Sequence, residues 1–284
     1  HAFSARSPCC YTIVAQRSCL PMWNNSRSAQ STILLVLLLL FIFETAPTEV
    51  LAMASATTNK PRILCLHGMS QSGAIFSNKI GGAKRKLSRQ YDLHFLDGPV
   101  QLEQHHPSTS DGGDHNNSST GLLPPPPSFG WWVRDNQGQH VGVETTFDYI
   151  KDQTKGQHYD AILGFSQGGL LATALALSGD VSGNIKAVVT AGAPFVPDAF
   201  EVAAARAGGL TEQGKAIPKL HFAGETDAVI AVERVEQLCE AGGDGELVRH
   251  EKGHLFPTKA AQVNYMIEFL AKHVLQDEAV ASSS

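Results

Sequence analysis

The chain has 284 residues, 43% of them hydrophobic, with 22 Lys and Arg against 27 Asp and Glu and a formal net charge of -5. That length suits one large α/β domain plus a tail, or two small domains, the apolar content allows a sizeable core, and the mild acidity argues against a nucleic-acid partner. Five cysteines at scattered positions make neither a paired zinc spacing nor a disulfide framework.

Residues 1–58 stand apart. The run ILLVLLLLFIF (33–43) is apolar throughout but falls short of the roughly 20 residues that a bilayer-spanning helix needs. It has the length of a signal-peptide core, Arg27 would supply the basic flank, and Ala52-Met53-Ala54 resembles a small-x-small cleavage site. The Ser-rich, acid-free stretch before it would equally suit an organellar transit peptide. Alternatively, Met53 opens MASATTNKPRILCLHG, which reads as an ordinary cytosolic start and makes 1–52 upstream sequence. The first two readings place the protein in the secretory pathway or an organelle, the third in the cytoplasm. On each, 1–58 is a targeting-like or non-native extension, expected to be poorly ordered, and no stable membrane span is expected in the mature domain.

The body, 59–276, opens with PRILCL (61–66), an apolar run ended by His67-Gly68 and read as a buried strand. Cys65 inside it is read as an inert buried thiol. Ile75, Phe76, Ile80, Ala83 and Leu87 recur at helical spacing and predict one helix over 73–90. DLHFL (92–96) is a strand stopped by Asp97-Gly98-Pro99. Then the composition shifts. EQHHPSTSDGGDHNNSSTGLLPPPPS (103–128) holds too little apolar surface to pack and is expected to be a disordered surface insertion. Its His105, His106, Asp111, Asp114 and His115 carry metal-ligating side chains, but a low-complexity loop gathers such residues without geometry, so no metal site is expected.

Helix returns at 143–154, with Val143, Phe147 and Ile150 on one face. YDAILGF (159–165) predicts a strand, Gly168 to Leu177 a small-residue helix, and IKAVVTA (185–191) another strand. PKLHFAG (218–224) is a strand, 230–241 a helix, ELVRH (246–250) a strand and 258–273 the last helix, with Val263, Met266, Ile267 and Leu270 on one face. Residues 277–284 are expected to be a disordered tail. Strands apolar on both faces alternate with helices, which predicts an α/β fold: a doubly wound, mostly parallel sheet with helices on both faces.

Between the strand YDAILGF and its helix lies GFSQGG (164–169). Gly-x-Ser-x-Gly at a strand-to-helix turn is the nucleophile elbow of the α/β-hydrolase fold. Side chains two residues from Ser166 would collide across so sharp a turn, and glycine at 164 and 168 removes them. A serine needs a histidine to take its proton and an acid to orient that histidine, in the chain order Ser, acid, His. Asp227, in the loop after KLHFA, fits the acid position, with Glu225 as the fallback. His254, after ELVRH, fits the base, with His250 as the competitor. His94 and His221, within strands, are read as core or edge residues. The backbone N–H groups of Met69, after the first strand, and Gln167, next to the nucleophile, fit an oxyanion hole, and His67 is read as bracing the Met69 loop.

RILCLHGMSQSG, FLDGP, Trp131-Trp132, YDAILGFSQGG, KLHFAGETDAVI and VRHEKGHLFP occur in this order. In these stretches the chain resembles the "family of serine hydrolases" group of α/β-hydrolases, over about 60–275. The resemblance implies a Ser166, Asp227, His254 triad that hydrolyses acyl esters of small molecules, with no metal or organic cofactor. GFSQGG is also similar to the acyl-protein thioesterases, but FLDGP and the paired tryptophans favour the first group. Trp131 and Trp132 are read either as walls of an acyl pocket or as core aromatics. Phe195 opens a segment, 194–216, that lies where such folds carry a lid or pocket wall. Three functions follow: a carboxylic ester hydrolase, a thioesterase, or a catalytically silent binding protein on the same fold. The last class usually lacks one triad member, and this chain has a candidate for each.

Overall fold

A computed structural model of the protein describes residues 60–103, 126–209, 211–243 and 245–275, all within the second of two units, Asn59–Ser284. The expected extension 1–58, the tail 277–284 and most of the insertion, including its histidines and aspartates, lie outside the described residues. The chain runs through β1 (Arg62–Leu66), α1 (Gly73–Lys79), α2 (Gly81–Leu87), β2 (Asp92–Leu96), β3 (Val100–Leu102), β4 (Ser128–Gly130), β5 (Val133–Arg134), β6 (His140–Val141) and α3 (Val143–Thr154). It continues with β7 (Tyr159–Phe165), α4 (Gln167–Ser178), β8 (Gly183–Ala191), α5 (Pro197–Arg206), α6 (Glu212–Ala216), β9 (Lys219–Gly224), α7 (Val232–Gly242), β10 (Gly245–His250) and α8 (Ala260–Leu270). A π-helical turn, Ala271–Leu275, prolongs α8.

Six strands pair in parallel in the order β10-β9-β8-β7-β1-β2. Successive side chains of β1 point to opposite faces, as the strand period demands. Leu64 and Leu66 join a buried cluster with Phe147, Ile150, Leu171 and Leu175, so α3 and α4 cover one face. Ile63 and Cys65 join Phe76, Leu87, Val263, Met266 and Leu270, so α1, α2 and α8 cover the other. The central strands are buried on both sides, which is why they read as unbroken apolar runs. Cys65 is fully buried, and burial pushes its thiol pKa up. Among the described residues no helix is long and apolar enough to cross a membrane.

The helix expected over 73–90 is two helices. Ile80 leaves the helical region (φ -94°, ψ 18°) and joins the C-terminus of α1 to the N-terminus of α2. Gly81 and Gly82, poor helix formers, follow at once, and the break lets both Phe76 and Leu87 reach the core. The insertion is shorter at its far end than its composition suggested. Ser128 belongs to β4, which pairs antiparallel with β3 through Leu102 and Ser128, so the segment between leaves and rejoins the body at one hairpin stem. The segment 194–216 holds α5 and α6. Ala199, Phe200 and Ala203 of α5 are packed into the same core as α4.

His221 sits in β9 with no exposed surface, its Nδ1 2.8 Å from Thr190 Oγ1. Burial, reinforced by the charge of Lys219, pushes its pKa down from 6.5 to about 3. Between those values the unfolded chain binds the extra proton, so stability rises with pH. The contribution of neutral His221 is complete above pH 6.5 and is lost as pH falls toward 3. His67 and His250 are displaced in the same direction, chiefly by burial. Unfolding free energies from guanidinium chloride titrations, measured from pH 6.5 down to 4, should fall less steeply in His221→Gln than in the natural protein. The slopes should differ by up to about 1.4 kcal/mol per pH unit; parallel curves would remove His221 from the acid lability.

Candidate active site

The chain runs outward from β1 to β2, then returns to the other side of β1 at β7. This reversal opens a crevice at the carboxyl ends of the strands, where ligands of open α/β sheets bind. Loops after β1, β7, β8, β9 and β10 all meet there. The loop after β7 is the sharpest. Ser166 has φ 52° and ψ -120°, a conformation that costs a non-glycine residue of order 1–3 kcal/mol. Its N–H still donates to the Ala191 carbonyl at 2.9 Å, so the ladder with β8 runs up to the turn. A Cβ on Gly168 would lie 2.6 Å from the Leu66 carbonyl carbon, and one on Gly164 2.6 Å from Gly169 Cα. The glycines are therefore demanded by contact between β1, β7 and α4.

The hydroxyl so presented lies 3.1 Å from His254 Nε2, and His254 Nδ1 lies 2.7 Å from Asp227 Oδ2. The other carboxylate oxygen, Oδ1, accepts the N–H groups of Val229 and Ile230, each at 2.8 Å. Those two bonds orient the carboxylate before the histidine uses it. The Asp227 side chain is 1% exposed and that of His254 19%, so the pair is shielded with one edge open. A proton on Nδ1 facing Asp227 leaves Nε2 as an acceptor for the serine O–H. Two further contacts hold the imidazole. The Phe165 ring lies 4.9 Å from it, tilted by 40°. Beneath it, Gly192 has φ 55°, and a Cβ there would be 3.0 Å from His254 Nδ1 and Cε1.

The alternatives weighed from the sequence sit elsewhere. Glu225 is exposed. His250 is buried, with Nδ1 accepting the Lys252 N–H at 3.2 Å and Nε2 without a partner among the described residues. His94 pairs with the Tyr159 hydroxyl on the sheet. Gly192 was not anticipated; its signal was a glycine directly after the strand IKAVVTA.

Gln167 is the first residue of α4, so its N–H has no helical partner and lies at the positive end of the helix dipole. Met69 lies in the loop after β1, 41% exposed. His67 anchors that loop. Its Nδ1 donates to the Gly68 carbonyl at 2.7 Å, and its Nε2 accepts the Gly98 N–H at 2.9 Å. Burial lowers its pKa, which keeps the ring neutral in this bracing role. Trp131 and Trp132 are 0% and 2% exposed and belong to the buried cluster that α3 and α4 cover. Phe195 is half-buried, edge-on to Phe200 at 5.0 Å, and its backbone exchanges bonds with Arg234.

A parallel sheet of this order with a serine elbow, an acid loop and a histidine loop at its carboxyl edge defines an α/β-hydrolase. The chain matches the serine hydrolase family FSH1 over residues 55–266, and it belongs to that family. The bovine (Bos taurus) esterase OVCA2 is 31% identical over 229 residues, covering 74% of this chain and 95% of the relative. A fission yeast (Schizosaccharomyces pombe) protein named dihydrofolate reductase is 27% identical over 75% of this chain. The chain spans about half the length of that relative and of a second fission yeast relative, 47% and 52%. Among solved structures, an acyl-protein thioesterase 2 from Zea mays superposes with a TM-score of 0.50 at 16% identity, covering 78% of this chain and 96% of that one. At that identity the likeness concerns the fold.

Because a Cβ at 168 would press on the Leu66 and His67 carbonyls, Gly168→Ala should destabilise the protein by about 3 kcal/mol or more. Urea unfolding would measure it. A loss under about 1 kcal/mol would show that β1 and α4 can separate without cost.

Proposed function

We propose that the protein hydrolyses carboxylic acyl esters through an acyl-enzyme on Ser166. The observation that carries this reading is the hydrogen-bonded line from Asp227 through His254 to the Ser166 hydroxyl. In the first half-reaction Ser166 Oγ attacks the ester carbonyl carbon and its proton passes to His254 Nε2. The resulting oxyanion is received by the N–H groups of Met69 and Gln167. Collapse of the tetrahedral species breaks the bond to the leaving oxygen, which takes the proton from Nε2 and departs as an alcohol. In the second half-reaction water gives its proton to Nε2 and attacks the acyl carbon. Ser166 Oγ leaves and recovers the proton, and a carboxylic acid is released.

Asp227 keeps the imidazole in the tautomer that accepts from serine and stabilises the imidazolium as it forms. The oxyanion donors, preorganised before substrate arrives, contribute about 2.7–4 kcal/mol each. The reading also draws support from membership of a serine hydrolase family and from a relative named as an esterase. A thioesterase is the second reading, favoured by the GFSQGG run. The same residues serve it, with a thiol in place of the alcohol. Matched oxygen and thiol esters of one acyl group separate the two: kcat/KM should favour the oxygen ester, and a preference for the thioester would install the second reading.

Ser166→Ala should abolish labelling by a fluorophosphonate probe and lower ester turnover by a factor on the order of 10^4 or more. Asp227→Asn, which keeps shape but offers the wrong hydrogen-bonding pattern, should lower kcat by about 10^4. Persistent labelling of Ser166→Ala, read by gel fluorescence, would place the nucleophile elsewhere.

A further inference from the structure

The mechanism uses the backbone of Gln167 and leaves its carboxamide unexplained. Both ends of that side chain are bonded. Its Oε1 accepts the Trp131 N–H at 3.0 Å, and its Nε2 donates to the Trp132 carbonyl at 2.9 Å. One planar group thus bridges the N–H of one tryptophan and the carbonyl of the next. Asn and Gln carboxamides alone among side chains offer a neutral donor and acceptor side by side for this.

The same short segment is bonded to the opposite wall of the site. The Phe129 N–H donates to the Gln71 carbonyl at 2.6 Å. Trp131 Nε1 donates to the His67 carbonyl at 2.8 Å, and its ring stacks on the His67 imidazole with centroids 4.9 Å apart. Gly130, between them, fits against the loop so closely that a Cβ would lie 2.8 Å from Met69 Sδ. From behind, Thr146 donates its hydroxyl proton to the Trp131 carbonyl. Residues 129–132 therefore touch both loops that bring the oxyanion donors, one after β1 and one after β7.

We infer that residues 129–132 are a splint that fixes the separation of the Met69 and Gln167 amides, and that the Gln167 carboxamide is the positioning group coupling it to the elbow. This rests on the ester-hydrolase reading. The physical need is plain. The two amides come from segments about a hundred residues apart in the chain, and catalytic donors must be held within about 0.5 Å of productive geometry. The β1–β7 ladder ends at Leu66 and Gly164, short of either amide, so something beyond the sheet has to set their spacing.

The test compares Gln167→Met, of similar length but unable to form either bond, and Gln167→Glu, which keeps the acceptor for Trp131 alone, with the natural protein. Measurements are kcat and KM on a short p-nitrophenyl ester, inhibition by a trifluoromethyl ketone, and thermal melting. The ketone adds to Ser166 and places an oxyanion between the two amides. In Gln167→Met, kcat should fall about 10- to 100-fold with KM within about twofold. The ketone should weaken by the same factor, and Gln167→Glu should lie between Met and Gln. A folded Gln167→Met with natural kcat and ketone affinity would overturn the inference while leaving ester hydrolysis intact. So would a loss confined to KM. If Gln167→Met does not fold, Gln167→Glu with unchanged kcat and ketone affinity would overturn it equally. Absence of any ester turnover or Ser166 labelling in the natural protein would overturn the underlying reading as well.

Discussion

The site depends on one steric constraint: three backbones, β1, β7 and α4, meet where no side chain fits. The carbonyls of Leu66 and His67 occupy the volume that a Cβ on residue 168 would need, and the start of α4 occupies that of residue 164. Under this pressure the chain turns from strand to helix within one residue, and Ser166 takes the positive φ. The strain has a consequence for geometry. The hydroxyl stands clear of the sheet, within 3.1 Å of an imidazole 88 positions later in the chain. A relaxed turn would carry it away from the histidine loop.

Much of this was legible in the sequence because the determinants are local. YDAILGF, with Gly164 and Gly168 flanking Ser166 and a small-residue helix behind, specifies the elbow whatever surrounds it. Asp227 and His254 were legible for a related reason: each follows an apolar strand, in the order the fold imposes. Choosing them over Glu225 and His250 rested on loop position; Glu225 is exposed, and His250 is buried with its Nδ1 accepting the Lys252 N–H. What escaped the sequence is long-range pairing. Nothing in the chain between 103 and 125 signals that Leu102 will face Ser128. The helices α5 and α6 lie in an Ala- and Gly-rich stretch with weak periodicity, and the break at Ile80 is a tertiary choice favoured by two glycines. The tryptophans were visible as a pair, but their partners, His67 and Gln167, come from loops that only folding brings together.

The histidines show how burial divides labour among identical side chains. His67, His221 and His250 are buried, and the desolvation of a cationic ring holds each of them neutral. His67 uses its neutrality to accept from one loop and donate to another. His254 meets both a carboxylate and a hydroxyl while keeping an exposed edge.

The most direct measurement is a crystal structure of the protein after reaction with a fluorophosphonate ester. The account predicts phosphorus bonded to Ser166 Oγ, His254 Nε2 beside the leaving-group position, and the phosphoryl oxygen within about 3 Å of the Met69 and Gln167 nitrogens. Phosphorus bound to any other residue, or a phosphoryl oxygen facing away from both amides, would contradict it.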